Sequence, residues 1–158
     1  MTNDAAIVPR PRATDGPGDR STFALGLILR RAHNRAVGAV TRVLRPLGLE
    51  PRHFAVLIAL CGQGPMSQSA LVRVTGSDRA TMVRVVDDLE RAGLVTRAAR
   101  PGDRRVRIVA PTEHGQLVFD QAHTDAAPVI GDLVAHLRPG EAEHLLDLLE
   151  RFVYPDHP

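Results

Sequence analysis

The fold is decided by residues 67–112, which read SQSALVRVTGSDRATMVRVVDDLERAGLVTRAARPGDRRVRIVAPT. Ser67 can cap a short helix, the polar run 75–77 forms a turn, and a second amphipathic helix follows as far as Gly93. Two short strands come next, at 94–99 and 104–110, joined by an arginine-rich turn. This order predicts a helix-turn-helix followed by a β-hairpin wing, an arrangement that binds duplex DNA.

The second helix of this stretch separates an apolar face from a polar one. Ser77 or Asp78 can cap its start, and Gly93 suits a left-handed C-terminal cap that lets Leu94 pack back on Leu89. Helical spacing turns one stripe toward the core, namely Met82, Val85, Val86 and Leu89. The same spacing turns four residues outward, namely Arg79, Ala80, Val83 and Arg84.

The outward residues are candidates for the major groove, which admits one α-helix. Arg79 and Arg84 suit guanine or phosphate, while Ala80 and Val83 suit thymine methyl groups, and Thr81 can reach a phosphate or a base. The neighbouring residues predicted to belong to the same DNA contact are Ser67, Gln68, Ser69 and Ser77. The alternative interpretation is the ordinary solvent face of a core helix.

The turn between the two strands is the second candidate for DNA contact. Pro101 and Gly102 occupy the central positions of a type II turn, where glycine accepts a positive φ. Arg104 and Arg105 follow at the hairpin tip, where they can enter a minor groove, and Asp103 can orient Arg105 by a salt bridge. The alternative is a charged tip that only keeps a sheet edge soluble.

The N-terminal part of the chain is predicted to hold a leader and two helices. Residues 1–20 contain Pro, Gly and alternating charges with little apolar periodicity, which is typical of a flexible leader. Apolar residues recur at helical spacing over 23–47, and a second helix opens at Pro51 and closes at Gly62 and Gly64. The chain from 21 to 158 is therefore expected to form one domain.

The remaining helices complete a mainly α fold with a small β-hairpin. The short helix after the Ser67 cap is predicted to bury Leu71 and Val74. Thr112 can cap a long helix, which Pro128 should kink or break, and Pro139 opens the last helix. The predicted order is α-α-α-α-β-β-α-α.

Charge and composition narrow the class of function. Residues 1–66 carry nine Arg and four acids, residues 67–107 nine Arg and five acids, and residues 108–158 two Arg and nine acids. The positive charge therefore covers the N-terminal half and the predicted DNA-binding stretch, as expected if that face meets phosphates. The single cysteine cannot form an internal disulfide, and no apolar run resembles a signal peptide or a membrane span, so a cytoplasmic protein without a membrane partner is expected.

The wing motif Asp103-Arg104-Arg105 is followed by the strand 106–111, which runs into the helix start Thr112-Glu113-His114-Gly115. In this motif the chain, from about residue 23 to residue 152, resembles the multiple-antibiotic-resistance regulator (MarR) family of winged helix-turn-helix transcription regulators. Three further segments are similar to the recognition helix and its exit, namely 81–84, 89–90 and 93–95. Two positions depart from the family pattern. Val83 stands where a hydroxyl residue is common, and Pro111 replaces the usual Leu.

The resemblance implies a homodimer that binds a palindromic operator in double-stranded DNA. Helices at about 21–47 and 112–153 would form the dimerisation region, and residues 50–111 the DNA-binding lobe. It also implies regulation of nearby genes, usually repression, relieved by a small and often aromatic effector that binds between lobe and dimer core. The sequence of the terminal helices independently favours a dimer. These helices carry more apolar surface than a core of four helices and a hairpin is expected to bury.

Weaker signals leave other functions open. A candidate effector pocket between the first, second and fifth helices would be lined by His33, His53, Phe54 and Phe119, each of which can equally be plain packing or surface. Cys61 is interpreted as buried filler, with a redox-controlled regulator as one alternative function. A winged helix that binds only other proteins is the second alternative. No catalytic constellation, metal site or cofactor motif is found, so an enzyme is not expected.

Overall fold

The computed structural model describes residues 22, 24–100 and 103–155, including all their side chains except those of 100–106. Six helices, one helical turn and three strands follow in the order α1 (Ala24–Leu44), a 3₁₀ turn (Arg45–Leu47), α2 (Pro51–Gln63), β1 (Met66–Ser67), α3 (Gln68–Thr75), α4 (Arg79–Arg91), β2 (Val95–Arg100), β3 (Asp103–Pro111), α5 (Glu113–Val134) and α6 (Glu141–Val153). Together α3, α4 and the β2–β3 hairpin form a winged helix-turn-helix, which confirms the predicted fold class.

The sheet has three antiparallel strands in the order β1-β3-β2. In the hairpin, Val95 pairs with Pro111 and Arg97 pairs with Val109, and the register shifts between Ala99 and Arg100. The strand β1 was not predicted, because two residues pairing with Ile108 and Val109 leave no periodic signal in the sequence. The predicted type II turn at 101–102 lies outside the described residues.

An aliphatic core joins α2, α4 and the base of the hairpin. The predicted stripe of α4 is confirmed, since Met82, Val85, Val86 and Leu89 are all buried. They pack with Leu57 and Leu60 of α2, Leu71 of α3 and Val109 of β3, among others. The prediction for α3 was half wrong: Leu71 is fully buried, but Val74 is 38% exposed. In this eight-residue helix Val72, not Val74, packs against the core.

Side chains and glycines cap the elements near the turn. Ser67 accepts a hydrogen bond from the Ala70 backbone N–H, and Asp78, rather than Ser77, accepts one from the Thr81 N–H at 2.8 Å. Gly93 has φ 72°, and the Leu94 N–H donates to the Leu89 carbonyl at 2.9 Å, as predicted for a left-handed cap.

Three predicted helix boundaries need correction. Gly62 lies inside α2, and Gly64 alone is the C-cap. The helix α5 is not broken at Pro128, because proline removes one hydrogen-bond donor at an exposed position where water can reach the unpaired carbonyl. The predicted kink at Pro128 stays a prediction. Gly140, not Pro139, is the N-cap of α6.

The terminal helices leave large apolar side chains uncovered. No residue of α6 is buried, and Leu145, Leu148 and Phe152, which lie three and four positions apart on one face, are 46%, 45% and 59% exposed. Leu27 and Ile28 of α1 are exposed as well. Across the described ranges, no helix has both the length and the apolar character that crossing a bilayer requires.

Candidate nucleic-acid interface

The outward face of α4 is confirmed by exposure. Arg79, Ala80, Val83 and Arg84 are all exposed, and Val83 is 46% exposed. The side of the helix opposite the core therefore offers two guanidinium groups and two small apolar groups over its first turn and a half. This is the part of a recognition helix that reaches base edges.

Thr81 differs from the other candidates on this face because its hydroxyl is already engaged. The Thr81 Oγ1–H donates to Asp78 Oδ2 at 2.6 Å, in addition to the backbone hydrogen bond that caps the helix. The side-chain and backbone hydrogen bonds from Thr81 lower the pKa of Asp78, which stays ionised. In this arrangement the Thr81 oxygen can accept a hydrogen bond from DNA but cannot donate one to a phosphate.

The start of α3 lies against the recognition helix. A cavity of about 260 Å³ between them is lined by Gln68, Ser69, Val72, Arg79, Met82 and Val83. The Gln68 Nε2 is shielded from solvent without a hydrogen-bond partner, and the Ser67 and Ser69 hydroxyls lie 2.9 Å apart. The structure thus brings Gln68 and Ser69 of α3 to the same surface as Arg79 and Val83 of α4. Ser77 lies in the turn before α4, where its hydroxyl makes a long 3.5 Å hydrogen bond to the Asp78 carbonyl.

The wing tip lies partly outside what the structure describes. The backbone of Asp103, Arg104 and Arg105 belongs to β3, but their side chains are outside the described residues. Their predicted DNA contacts and the Asp103–Arg105 salt bridge therefore stay predictions. Nearer the wing base, Arg107 is exposed and Val109 is fully buried, so the hairpin leaves the core between these two positions.

A charged network at the wing base was not predicted from the sequence. Arg97 of β2 donates from Nη2 to Asp87 Oδ1 and from Nη1 to Glu90 Oε2, both at 2.5 Å. Burial lowers the pKa of Arg97, but the hydrogen bonds to Asp87 and Glu90 outweigh it, so the net shift is upward and the guanidinium is always charged. The two acids stand three positions apart on α4, a spacing that could have suggested a shared partner.

The four residues predicted to line an effector pocket are only partly brought together. The rings of Phe54 and Phe119 lie 5.8 Å apart. His53, in contrast, accepts a hydrogen bond on Nδ1 from the Glu50 N–H, and its Nε2 lies 3.7 Å from Asp88 of α4. The His53 imidazole therefore faces the recognition helix rather than α5, and His33 is exposed on α1.

A larger cleft lies elsewhere, between the end of α2, α3 and α6. It measures about 580 Å³ and is lined by Gln63, Arg73, Val74, Asp147, Glu150, Arg151 and Tyr154. Arg73 donates to the Ser69 carbonyl at 3.3 Å, while Arg151 lies 3.7 Å from Asp147. None of the four residues predicted for an effector pocket lines this cleft.

Cys61 is less enclosed than predicted. It is half-buried at the end of α2, and burial, followed by the nearby Asp120 carboxylate, raises the pKa of its thiol. A raised pKa keeps the thiol protonated and less reactive. Within the described ranges, no three His, Cys, Asp or Glu side chains gather in an arrangement that could hold a metal ion.

Comparison with known proteins identifies the family. The model of the MarR family matches residues 47–106. The HTH-type transcriptional repressor NicR of Pseudomonas putida is 34% identical over 136 residues, which cover 85% of this chain and 85% of NicR. This chain belongs to the MarR family of transcriptional regulators. The resemblance to that family is thereby confirmed.

Solved MarR-type structures share the fold over nearly the whole chain. A MarR-family regulator from Rhodococcus sp. RHA1 has a TM-score of 0.80 and 28% identity, covering 89% of this chain and all of that one. Bordetella bronchiseptica BpsR, whose DNA binding is regulated by 6-hydroxynicotinic acid, has a TM-score of 0.74 and 28% identity, covering 85% of this chain and 94% of BpsR. The structural similarity to MarR-family proteins thus extends beyond residues 47–106 and includes the terminal helices.

Proposed function

We propose that this MarR-family protein is a homodimeric transcriptional repressor that binds a palindromic operator and is released by a small molecule. The observation that carries the proposal is the exposed face of α4, where Arg79 and Arg84 flank Val83 beside the start of α3. A positively charged helix face with small apolar groups suits the major groove, because it offers guanidinium donors for guanine and contacts for thymine methyl groups.

Each part of the surface has a distinct role in this proposal. Arg79 and Arg84 bind guanine or phosphate, and Val83 makes the apolar contact that replaces the hydroxyl common in the family. Thr81 accepts a hydrogen bond from a base amino group, since its proton is held by Asp78. Ser69 and the backbone at the start of α3 bind phosphate, and the wing arginines enter the minor groove.

The dimer is formed by the terminal helices, about 21–47 and 112–153, while residues 50–111 form the DNA-binding lobe. The uncovered apolar face of α6, with Leu145, Leu148 and Phe152, supports a second copy of the chain as its partner. A two-fold axis through this region would place the two α4 helices about 34–36 Å apart, one turn of B-DNA.

Repression and its release are proposed from the relatives and from the cleft. NicR is a repressor, and the DNA binding of BpsR responds to an aromatic acid. The cleft between α3 and α6 has the size of a small-molecule site. Arg73 offers a cation for a carboxylate and Tyr154 offers a ring for stacking. A ligand held there would bind the DNA-binding lobe and a dimerisation helix at once.

Titration with 6-hydroxynicotinic acid tests the effector site, because Tyr154 is the only tyrosine and the chain has no tryptophan. We expect a saturable change in tyrosine fluorescence. Arg73→Gln should weaken binding about tenfold to a hundredfold, the worth of a charge-assisted hydrogen bond. Arg52→Gln removes an arginine from the start of α2 and should leave the titration unchanged. Equal affinity of wild type and Arg73→Gln would rule out this cleft.

The DNA-binding proposal is tested on the intergenic DNA upstream of the gene. We expect a symmetric footprint and an affinity that falls with salt at a log–log slope near −0.9 per phosphate neutralised. Arg84→Ala should weaken binding by about 1–3 kcal/mol, the worth of a bidentate contact with guanine. Arg52→Ala, which also removes one positive charge, should cost far less.

The same DNA-binding measurement, repeated with peroxide, separates the two alternative functions. A winged helix that serves only protein association predicts weak retention on DNA that does not depend on salt. A redox regulator acting through Cys61 predicts release of DNA by peroxide. The raised pKa of the Cys61 thiol argues against the second alternative, since the thiolate is the form that peroxide oxidises.

A further inference from the structure

Arg97, a residue of the wing, connects the wing to the recognition helix α4. Its side chain, on β2, is 19% exposed, and each of its two terminal nitrogens bonds a different carboxylate of α4. Asp87 and Glu90 are three positions apart, so they lie on neighbouring turns of one helix face. The planar guanidinium thus spans two fixed points on α4.

We propose that Arg97 is a positioning residue that sets the angle of the wing relative to α4 and thereby decides where the wing tip meets DNA. This inference rests on the proposed function. Two hydrogen bonds from a rigid fork fix an orientation, whereas a single bond to a flexible side chain fixes only a point. Arg97 itself touches no DNA in this arrangement, because its two terminal nitrogens are turned to α4.

Because Arg97 lies near the base of the hairpin, a small rotation of the hairpin there moves its tip by several ångströms. Arg97 pairs with Val109, the buried residue at the wing base, and Asp103 at the other end of β3 is six residues away. Six residues of strand span about 20 Å, so a rotation of about 10° at the base moves the tip by about 3.5 Å. A shift of that size is enough to separate a hydrogen-bonding side chain from a phosphate or a base.

Stability alone does not account for the arrangement. Asp87 and Glu90 are 45% and 41% exposed, and ion pairs open to solvent contribute little to folding. Other hydrogen bonds already hold the base of the hairpin, since the Thr112 hydroxyl donates to the Gly93 carbonyl at 2.7 Å and its N–H donates to the Leu94 carbonyl. Arg97 adds a connection from the wing to α4 itself.

The test compares two ways of removing the bridge that change the charge in opposite directions. Arg97→Met removes one positive charge, whereas the double variant Asp87→Asn, Glu90→Gln removes two negative charges and keeps the shapes of both side chains. If Arg97 served only as positive charge, the first change would weaken DNA binding and the second would strengthen it. If it positions the wing, both changes should weaken specific binding, by about tenfold.

Hydroxyl-radical footprinting and methylation protection on the operator provide the selective readout. Both variants should leave the minor-groove positions of the wing unprotected while α4 still protects the major groove. The salt slope should become shallower by about 0.9 for each phosphate that the displaced wing no longer neutralises. As a control, Arg91→Ala removes an arginine on α4 that pairs with Asp88 of the same helix, and it should keep the wing protection.

The outcomes distinguish this inference from the proposed function. A wild-type protein without any footprint overturns the proposed function and this inference with it. A wild-type footprint that both bridge variants retain in full overturns this inference alone. A uniform decrease of protection at both grooves, in step with a lower melting temperature, would show a merely structural role. Arg97→Lys, which keeps the charge but lacks the rigid planar fork, should lack wing protection while remaining folded.

Discussion

Gly115→Ala is expected to destabilise the protein by at least about 3 kcal/mol, near or above the upper end for overpacked cores. A methyl group at this position would lie 1.9 Å from the Leu94 carbonyl oxygen and 2.8 Å from its carbon. Both are backbone atoms, so no side chain can rotate away. The Leu94 carbonyl also accepts the Thr112 N–H at 3.0 Å, and moving it would disturb the junction of hairpin and α5. Chemical denaturation measures the decrease in stability.

Gly62→Ala is the matched control for this change. Gly62 also lies within a helix, but a methyl group added there would meet nothing within 4 Å. Replacing an unhindered helical glycine by alanine stabilises a protein by roughly 0.5–1 kcal/mol. The two substitutions should therefore move the free energy of unfolding in opposite directions. A Gly115→Ala protein as stable as wild type would mean that α5 and the hairpin are not in such close contact.

The helix-turn-helix could be predicted because its signals are local. The Ser67 cap, the stripe from Met82 to Leu89 and the Gly93 cap each follow from residues within one or two helical turns. All three were confirmed at the predicted positions. Whether Ser77 or Asp78 caps α4 could not be predicted from the sequence, because both residue types are good caps. Only the path of the backbone decides which side-chain oxygen faces the Thr81 N–H.

The features that could not be predicted depend on residues distant in sequence. Gly115 is required by a carbonyl 21 positions earlier, and its neighbours in sequence give no indication of it. Arg97 meets Asp87 and Glu90 only once β2 folds back along α4. Val74 looked like a core residue because it follows the buried Leu71 at helical spacing, yet it lines the cleft beside α6. Aromatic side chains suggested an effector pocket at Phe54 and Phe119, but ring contacts are equally typical of packing.

The second large effect is expected at the apolar face of α6, where Leu148→Arg together with Phe152→Arg should abolish dimerisation. Both side chains are exposed in the single chain, so the change should not disturb the fold of the DNA-binding lobe. In a dimer each of the two chains would bury two guanidinium groups without partners, which costs several kcal/mol for each charge. Sedimentation should show monomers, and circular dichroism should show retained helix.

Loss of the dimer should also weaken binding to the operator by about 10²–10⁴-fold, the usual advantage of two linked half-sites over one. The two substitutions add two positive charges, which by themselves favour DNA, so weaker binding cannot be electrostatic in origin. Glu143→Gln with Glu150→Gln raises the charge by the same amount on the polar side of α6 and should leave the protein dimeric. If the arginine variant still sediments as a dimer, α6 does not form the interface, and the spacing of the two recognition helices has to be set by another surface.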